Sequence, residues 1–256
     1  MKNHVSLLSK LFLIISFCTF NQVMALELSS KLAEYQIRLC ENKNAILKKL
    51  SIEESDLSKN KSLFYLENKN LDLFKKRIFI KIKTNKKQID VSVKVKTTVN
   101  DSTKMSNSKD RVCEYDIHGE RIDYSCKMLA VKTLDQLKDV QDGKKSWKHL
   151  LSDEQMEWLD SLNLIDLKNI NLKIFGEIIS SDAKWSSDEF SNINLDLESS
   201  NEGEHEFNEI SYRFNKDDSD SESAKFDQFL KEKNIVLCPD QTDGFLEKIK
   251  YLTKSI

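Results

Sequence analysis

The feature that most constrains this chain is a two-residue alternation between aliphatic and charged side chains, repeated in segment after segment. Residues 33–39 set Tyr35, Ile37 and Leu39 against Glu34, Gln36 and Arg38. Residues 78–83 set Ile78, Ile80 and Ile82 against Phe79, Lys81 and Lys83. Residues 89–96 set Ile89, Val91, Val93 and Val95 against Asp90, Ser92, Lys94 and Lys96. Late in the chain, Ile193, Leu195 and Leu197 oppose Asn194, Asp196 and Glu198, and Ile210, Tyr212 and Phe214 oppose Glu209, Ser211 and Arg213. Successive strand side chains point to opposite faces, so each segment reads as a β-strand with one apolar and one strongly polar face. Residues 61–66 and 172–179 are further strand candidates, and the polar residues 199–204 read as a hairpin loop.

With one Pro and five Gly in 256 residues, most turns fall to Asn, Asp, Ser and Lys. One glycine turn is legible. Residues 111–128, RVCEYDIHGERIDYSCKM, split into two short strands around His118-Gly119-Glu120-Arg121. Gly119-Glu120 as a two-residue loop suits a type II′ turn and puts 118 opposite 121 in a hydrogen-bonded pair. Alternation then makes Cys113 and Cys126 a non-hydrogen-bonded pair, close enough for a disulfide. Helices are expected over residues 42–50, from Ser152 toward Leu162 with Gln155 at capping-box spacing, over 224–233 with Ser219 or Ser221 as cap, and over 245–252. Residues 135–145 read as charged and exposed, and residues 102–110 as a polar loop. No repeat or linker divides the chain, so residues 26–256 are expected to form one α+β domain dominated by antiparallel strands.

Residues 1–25 are set apart from that domain. Lys2 and Lys10 precede an apolar run, residues 11–20, and Val23-Met24-Ala25 places small residues before a cut after Ala25, the pattern of a secretory signal peptide. The run is too short for a stable bilayer anchor, and Phe17 before Cys18 does not fit a lipoprotein signal. The expected location is periplasmic or secreted, with no membrane span after cleavage. Loss of the two lysines takes the formal charge from −2 to −4 and leaves Cys40, Cys113, Cys126 and Cys238. An even number of cysteines in an exported chain, with no CxxC spacing, favours disulfides over a zinc site. Cys40 and Cys238 pair by elimination. The lack of a basic excess excludes a generic nucleic-acid binder, and nothing specifies an oligomeric state.

The polar strand faces admit two arrangements. One is an antiparallel sheet with a solvated side. The other is a closed barrel whose polar faces point inward. Its lumen would hold Arg38, Lys81, Lys83, Lys94, Lys96 and Arg213 together with Glu34, Glu114, Asp116, Asp196, Glu198 and Glu209. That many buried charges are too costly without water or a ligand. Such a tunnel suits a polyphosphate with a divalent cation, the basic residues taking phosphate oxygens and the carboxylates holding the metal.

The order of these segments favours the barrel. FYLENKNLDLFKKRIFIKIK followed by IDVSVKVK resembles the CYTH, or triphosphate tunnel metalloenzyme, family. Tyr65, Glu67, Leu71 and Leu73 match its aromatic-acid-turn element and L-x-L, Lys81 and Lys83 its paired basic residues, and Lys94 and Lys96 the next pair. Cys113-Glu114-Tyr115-Asp116 with Ser125-Cys126 looks like the hairpin of exported CYTH-like proteins, and LLSDEQMEWL like the helix after it. Lys184-Trp185, LDLES and Glu209-Ile210-Ser211 fit the order of the closing strands. The resemblance covers about residues 33–252, through short and loose motifs. It implies an antiparallel β-barrel tunnel with flanking helices that binds a small phosphorylated anion, a polyphosphate or nucleoside triphosphate. It also implies Mg²⁺ or Mn²⁺ on Glu34, Glu114, Asp196, Glu198 and Glu209, and phosphate contacts from Arg38, Lys81, Lys83, Lys94, Lys96 and Arg213.

Three departures weight binding above catalysis. The family opens with E-x-E-x-K, whereas Glu34-Tyr35-Gln36-Ile37-Arg38 has an amide at the second acidic position, and an amide holds Mg²⁺ far less well. Lysines at 81, 83, 94 and 96 keep charge but lose the arginine fork. Thr242-Asp243 stands where the family often has Thr-Lys. The family's metal-assisted hydrolysis would be slow here at best, and the alternative is an envelope protein that keeps the fold without an active site. No serine-hydrolase elbow, P-loop or HExxH motif occurs. His118, His149 and His205 are dispersed and read as surface or turn residues. Trp147, Trp158 and Trp185 read as core or rim. The acidic run 217–220 lacks the glycine and twelfth-position Glu of an EF-hand and reads as a solvated helix start.

Overall fold

The computed structural model describes residues 31–100, 105–106, 108–191, 193–200, 203–241 and 244–254. The expected signal peptide, Thr242-Asp243 and part of the 102–110 loop lie outside the described residues. Nine strands follow in chain order: β1 (Leu32–Leu39), β2 (Lys61–Glu67), β3 (Ile78–Thr84), β4 (Gln88–Thr98), β5 (Arg111–His118), β6 (Arg121–Thr133), β7 (Lys173–Trp185), β8 (Ile193–Ser200) and β9 (Asn208–Asn215). They close into a barrel in the order β1-β5-β6-β4-β3-β2-β7-β8-β9, with β9 returning to β1. Every ladder is antiparallel except β1–β5, where a crossover through β2 to β4 brings β5 back parallel to β1.

The register settles which face is inside. Glu34 lies opposite Arg213 on β9 and Asp116 on β5. Glu114 pairs with Ser125, and Lys127 on β6 with Lys94 on β4. Ser92 pairs with Lys81, Lys81 with Tyr65, and Asp182 on β7 with Asp196, which pairs with Glu209. Because register fixes facing, one polar face runs unbroken around the barrel, and closure turns it inward. The solvated-sheet arrangement is thereby excluded.

The aliphatic faces point outward and are covered by helices α1 (Lys43–Leu50), α2 (Asp72–Lys75), α3 (Leu134–Gln141), α4 (Asp153–Leu162) and α5 (Ser219–Glu232), and by intervening turns. Ile80, Ile82, Val91 and Val93 are fully buried with Leu150, Trp158 and Leu159. On the other side Ile37, Leu195 and Ile210 share a core with Ile46, Phe226 and Leu230. A last helix, α6 (Gly244–Lys254), packs on the inner face instead: Ile249 and Leu252 join Leu63, Tyr65, Phe175 and Ile178 in one cluster.

Residues 135–145 are largely exposed, as expected, and their first part is helical. Thr133 and Gln136 form a capping box that starts α3, and Leu137 is buried against the barrel. Helix α5 begins at Ser219, after a 3-10 turn over Lys216–Asp218, so the cap position falls on Asp218 and neither serine caps it. The capping box at Ser152 and Gln155 forms as expected. Gln155 is fully buried, and its amide nitrogen also donates to the carbonyls of Val91 and Met128 at 3.0 and 3.1 Å, fastening α4 to the barrel wall. Gln155→Ala is expected to lower stability by about 2–3 kcal/mol through those lost bonds and the cap, read as a lower denaturation midpoint at unchanged slope.

Both disulfides join the expected cysteines. Gly119, with φ of 57°, makes the turn that sets Cys113 opposite Cys126, with Cα atoms 4.0 Å apart. Cys40 and Cys238 are bonded with Cα atoms 4.8 Å apart. No helix among the described residues is long and apolar enough to cross a membrane.

Candidate functional site in the barrel lumen

The lumen holds a cavity of about 550 Å³ walled by Glu34, Lys81, Lys83, Lys94, Lys96, Asp196, Glu209 and Arg213, with Lys127 from β6 and Phe245 and Lys248 from α6. Eight of the expected site residues thus converge on one cavity. Glu114 and Glu198 are buried in the same charged clusters, Glu114 on Arg213 and Glu198 on Lys248.

Arg38 stands apart from the expected phosphate contacts. It does not line the cavity; its guanidinium donates to the carbonyl of Asp240 at 2.9 Å and pairs with Glu247 of α6. Position 38 precedes the strand end and the Cys40 staple, so its long side chain meets the returning C-terminal segment. Its role in this structure is to hold α6 in place.

Charges in the lumen fall into two clusters. In the first, Glu34, Glu114 and Asp116 bring ligand oxygens within 4.8 Å of one another, all three residues being buried. Arg213 bridges Glu34 at 2.6 Å and Glu114 at 3.3 Å. Lys94 and Lys96 reach Asp116 at 2.7 and 3.2 Å. Burial pushes the Asp116 carboxyl up, and the two lysines outweigh it, holding it at about 2. Burial likewise depresses Lys94, but Asp116, then Glu114 and Glu34, raise it above its ordinary value. Gln36 donates to Glu34 at 2.5 Å, so this amide supports the neighbouring carboxylate.

The second cluster lies on β8 and β9. Lys248 pairs with Glu198 at 2.5 Å. Burial pushes Glu198 up, and Lys248 and Lys81 bring it below its ordinary value. Asp196 is raised, first by burial and then by Glu198.

Three lumen groups have no direct partner among the described residues: Asp196, Lys81 and Lys127 make no ion pair or side-chain hydrogen bond. Lys127 is lowered by burial and then by Lys94. Half-buried charges with opposite charges nearby but no direct ion pair are what a lumen able to take a charged ligand presents. Lys127 and Lys248 were missed in the sequence. Lys127 was legible as the residue two beyond Ser125 on the polar face, whereas Lys248 comes from a helix whose docking inside the barrel has no local signature.

Two further residues differ from their sequence reading. His118, expected on a surface or turn, is buried with its Nε2 3.3 Å from Lys96 Nζ, because it ends the inward face of β5. Glu67, the last residue of β2, is fully buried and does not line the cavity. Its carboxylate accepts from the backbone N–H groups of Asn68, Leu73 and Phe74 and so closes the turn that starts α2. Trp147 and Trp158 are core residues, and Trp185 packs on Phe229. A larger external groove of about 730 Å³ beside Trp147 carries lysines but no carboxylate, and so lacks the convergence of both signs found in the lumen.

No protein-family model and no curated protein sequence matches this chain. Among solved structures, a Bacillus halodurans protein described as a candidate adenylate cyclase superposes with a TM-score of 0.55 at 17% identity, covering 82% of this chain and 95% of its own. A Hippeastrum protein, described as a candidate adenylyl cyclase with a dominant triphosphatase activity, superposes with a TM-score of 0.54 at 15% identity, covering 84% of this chain and 93% of its own. At these identities the likeness is one of fold, and this chain has the closed-barrel architecture of both proteins.

Proposed function

We propose that this protein is an exported member of the CYTH group that binds a small polyphosphate or nucleoside triphosphate in its lumen together with a divalent cation. One observation carries the reading: Lys81 and Lys127 face the same cavity as Lys94 and Arg213 but, among the described residues, have no carboxylate within ion-pair distance, beside Asp196, which has no cation within that distance. A phosphate chain supplies the missing anions, and a cation the missing counter-charge for the carboxylates. The triphosphatase activity of the Hippeastrum protein is in keeping with this ligand class. The two disulfides favour an oxidising compartment and support export.

The donor set fits Mg²⁺ or Mn²⁺. Glu34, Glu114 and Asp116 converge through carboxylate oxygens, the hard donors such ions prefer, with no cysteine in the cluster. Glu34, Asp196 and Glu209 line the cavity directly and would hold the ion, with Glu198 buried on Lys248 behind them. When bound, the ion would neutralise phosphate charge. The lysines orient the anion, and Arg213 moves between Glu34 and a phosphate oxygen.

Thermal shift of the purified protein with tripolyphosphate, with and without Mg²⁺ or Mn²⁺, tests the reading. A hundred-fold excess over Kd is expected to raise Tm by roughly 5–10 °C, and no shift at millimolar ligand overturns it. Lys81→Ala is expected to weaken tripolyphosphate about ten-fold, while changing stability by less than about 0.5 kcal/mol because no ion pair is broken.

A second reading, a retained fold without chemistry, is favoured by Gln36 and by the internal pairing of Arg213, Lys94 and Lys96. Metal-dependent phosphate release abolished by Glu34→Ala or Glu209→Ala would exclude it.

A further inference from the structure

Outside the barrel, two cavities meet along residues 164–172. One, of about 730 Å³, lies between that segment, the 3-10 turn Trp147–Leu150 and the outer face of β2 and β7. The other, of about 620 Å³, continues toward α2, and the two share Ile170 and Asn171. Phe64 lines the first cavity, whereas Tyr65, its neighbour on β2, lines the lumen, so the sheet separates this groove from the site described above. Together the two cavities exceed the roughly 1,000 Å³ of a large small-molecule pocket, and they run into one another as a continuous groove. Its floor is apolar: Phe64, Val140, Ile165, Ile170 and Ile174 pack on the outer core and yet remain only partly buried. Its rim is basic. Lys145, Lys148, Lys168 and Lys173 stand around the first cavity, whose lining holds no carboxylate. None of the four makes an ion pair among the described residues. The two acids of the second cavity are already engaged, Asp72 accepting from the Asn68 amide at 2.7 Å and Asp166 from the Asn169 amide at 2.6 Å. The side-chain amides of Asn70 and Asn171 have no hydrogen-bond partner among the described residues.

A long groove with an aliphatic floor, a rim of one charge sign and open amides matches the chemistry of a polypeptide, which brings apolar side chains, charge and backbone hydrogen-bonding groups together. We infer that this groove receives an extended acidic segment of a partner protein. Its aliphatic side chains cover Phe64, Ile170 and Ile174, its carboxylates meet Lys145, Lys148 and Lys173, and Asn171 at the junction bonds its backbone. Other polyanions fit less well. A single-stranded nucleic acid needs an aromatic face on which to stack, and Trp147 is only 6% exposed. A phosphate polymer has nothing apolar with which to cover the floor. A bilayer takes up apolar groups that protrude, and these are recessed behind the lysines.

Selection of displayed random peptides of about ten residues on the full chain tests this. Peptides that combine Asp or Glu with Leu, Ile, Val or Phe are expected to enrich. Resynthesised with a fluorescent label, they are expected to bind the combined variant Lys145→Glu, Lys148→Glu and Lys173→Glu about ten-fold more weakly or worse, and to bind the parent protein more weakly as salt rises. The variant should keep the parent's Tm, because the three lysines break no ion pair when replaced. Ile170→Gln, which leaves the rim intact, should weaken the same peptides about five-fold through the floor. Failure to enrich any peptide family, enrichment of peptides without acidic residues, or equal binding by the parent and the charge-reversed variant overturns the inference. Tighter binding of a single-stranded oligonucleotide or of long-chain polyphosphate than of the selected peptides, lost in the same variant, also overturns it and assigns the groove to a phosphate polymer.

Discussion

Cys238→Ser is expected to lower the stability of the oxidised protein by about 5 kcal/mol, against about 3 kcal/mol for Cys126→Ser. The difference comes from loop length. Cys40–Cys238 closes a separation of 198 residues and Cys113–Cys126 one of 13, and the entropy removed from the unfolded chain grows with the logarithm of the closed loop. The short disulfide lies inside the long loop and shortens it by too few residues to change that logarithm appreciably. In the native state the long disulfide fastens a segment that adds to the end of β1: Cys40 N–H donates to Val236 O and Cys238 N–H to Arg38 O, each at 3.0 Å. Helix α6 follows that segment and brings Phe245 and Lys248 to the cavity. Loss of the staple should therefore weaken triphosphate binding as well, whereas Cys126→Ser should affect stability first. Guanidinium unfolding of both variants without reductant provides the check. A smaller cost for Cys238→Ser than for Cys126→Ser would refute the loop-length argument.

The strands were legible because alternation is local: Ile78, Ile80 and Ile82 against Lys81 and Lys83 need no tertiary information to read as a strand. The disulfide hairpin was legible for the same reason, since Gly119 fixes the register of Cys113 and Cys126. Alternation alone could not say whether the polar faces met water or one another. That depends on barrel closure, which rests on ladders between residues far apart in sequence, such as Arg38 with Glu209. Side chains arriving from non-strand elements were equally hidden. Lys248 reaches Glu198 because α6 docks inside the barrel, and Arg38 turns from the cavity wall because α6 carries Glu247 to it. Helix α3 was not named from the sequence because its apolar contribution to the core is small, chiefly Leu137, and its charged residues 135–145 gave no apolar stripe.

Asp116→Asn is expected to cost about 3–5 kcal/mol, although the change is isosteric. Asp116 is fully buried and is the shared counter-ion of Lys94 and Lys96. Asparagine keeps the shape and loses the charge, which leaves Lys96 buried beside His118 and the Phe79 ring without the Asp116 carboxylate, and Lys94 with Glu114 at 4.0 Å. A second substitution, Lys96→Met, removes one stranded cation, so the double variant should be less destabilised than the sum of the single changes. The pH dependence has a definite sign. The folded carboxyl lies at about 2, below its ordinary 3.8, so its contribution is complete above about pH 4 and is lost as pH falls through about 2. Lys94 is raised, so its contribution is complete below its ordinary 10.5 and is lost only at still higher pH. Between these limits the pair should be insensitive to pH, and Asp116→Asn should flatten the acid limb of the stability profile. The substitution also frees Lys94 on the cavity wall, so a bound triphosphate can supply the anion that Asp116 no longer does. Tripolyphosphate should therefore raise the Tm of Asp116→Asn by more than that of the parent protein. An equal or smaller rise would mean that Lys94 serves the barrel and not its ligand.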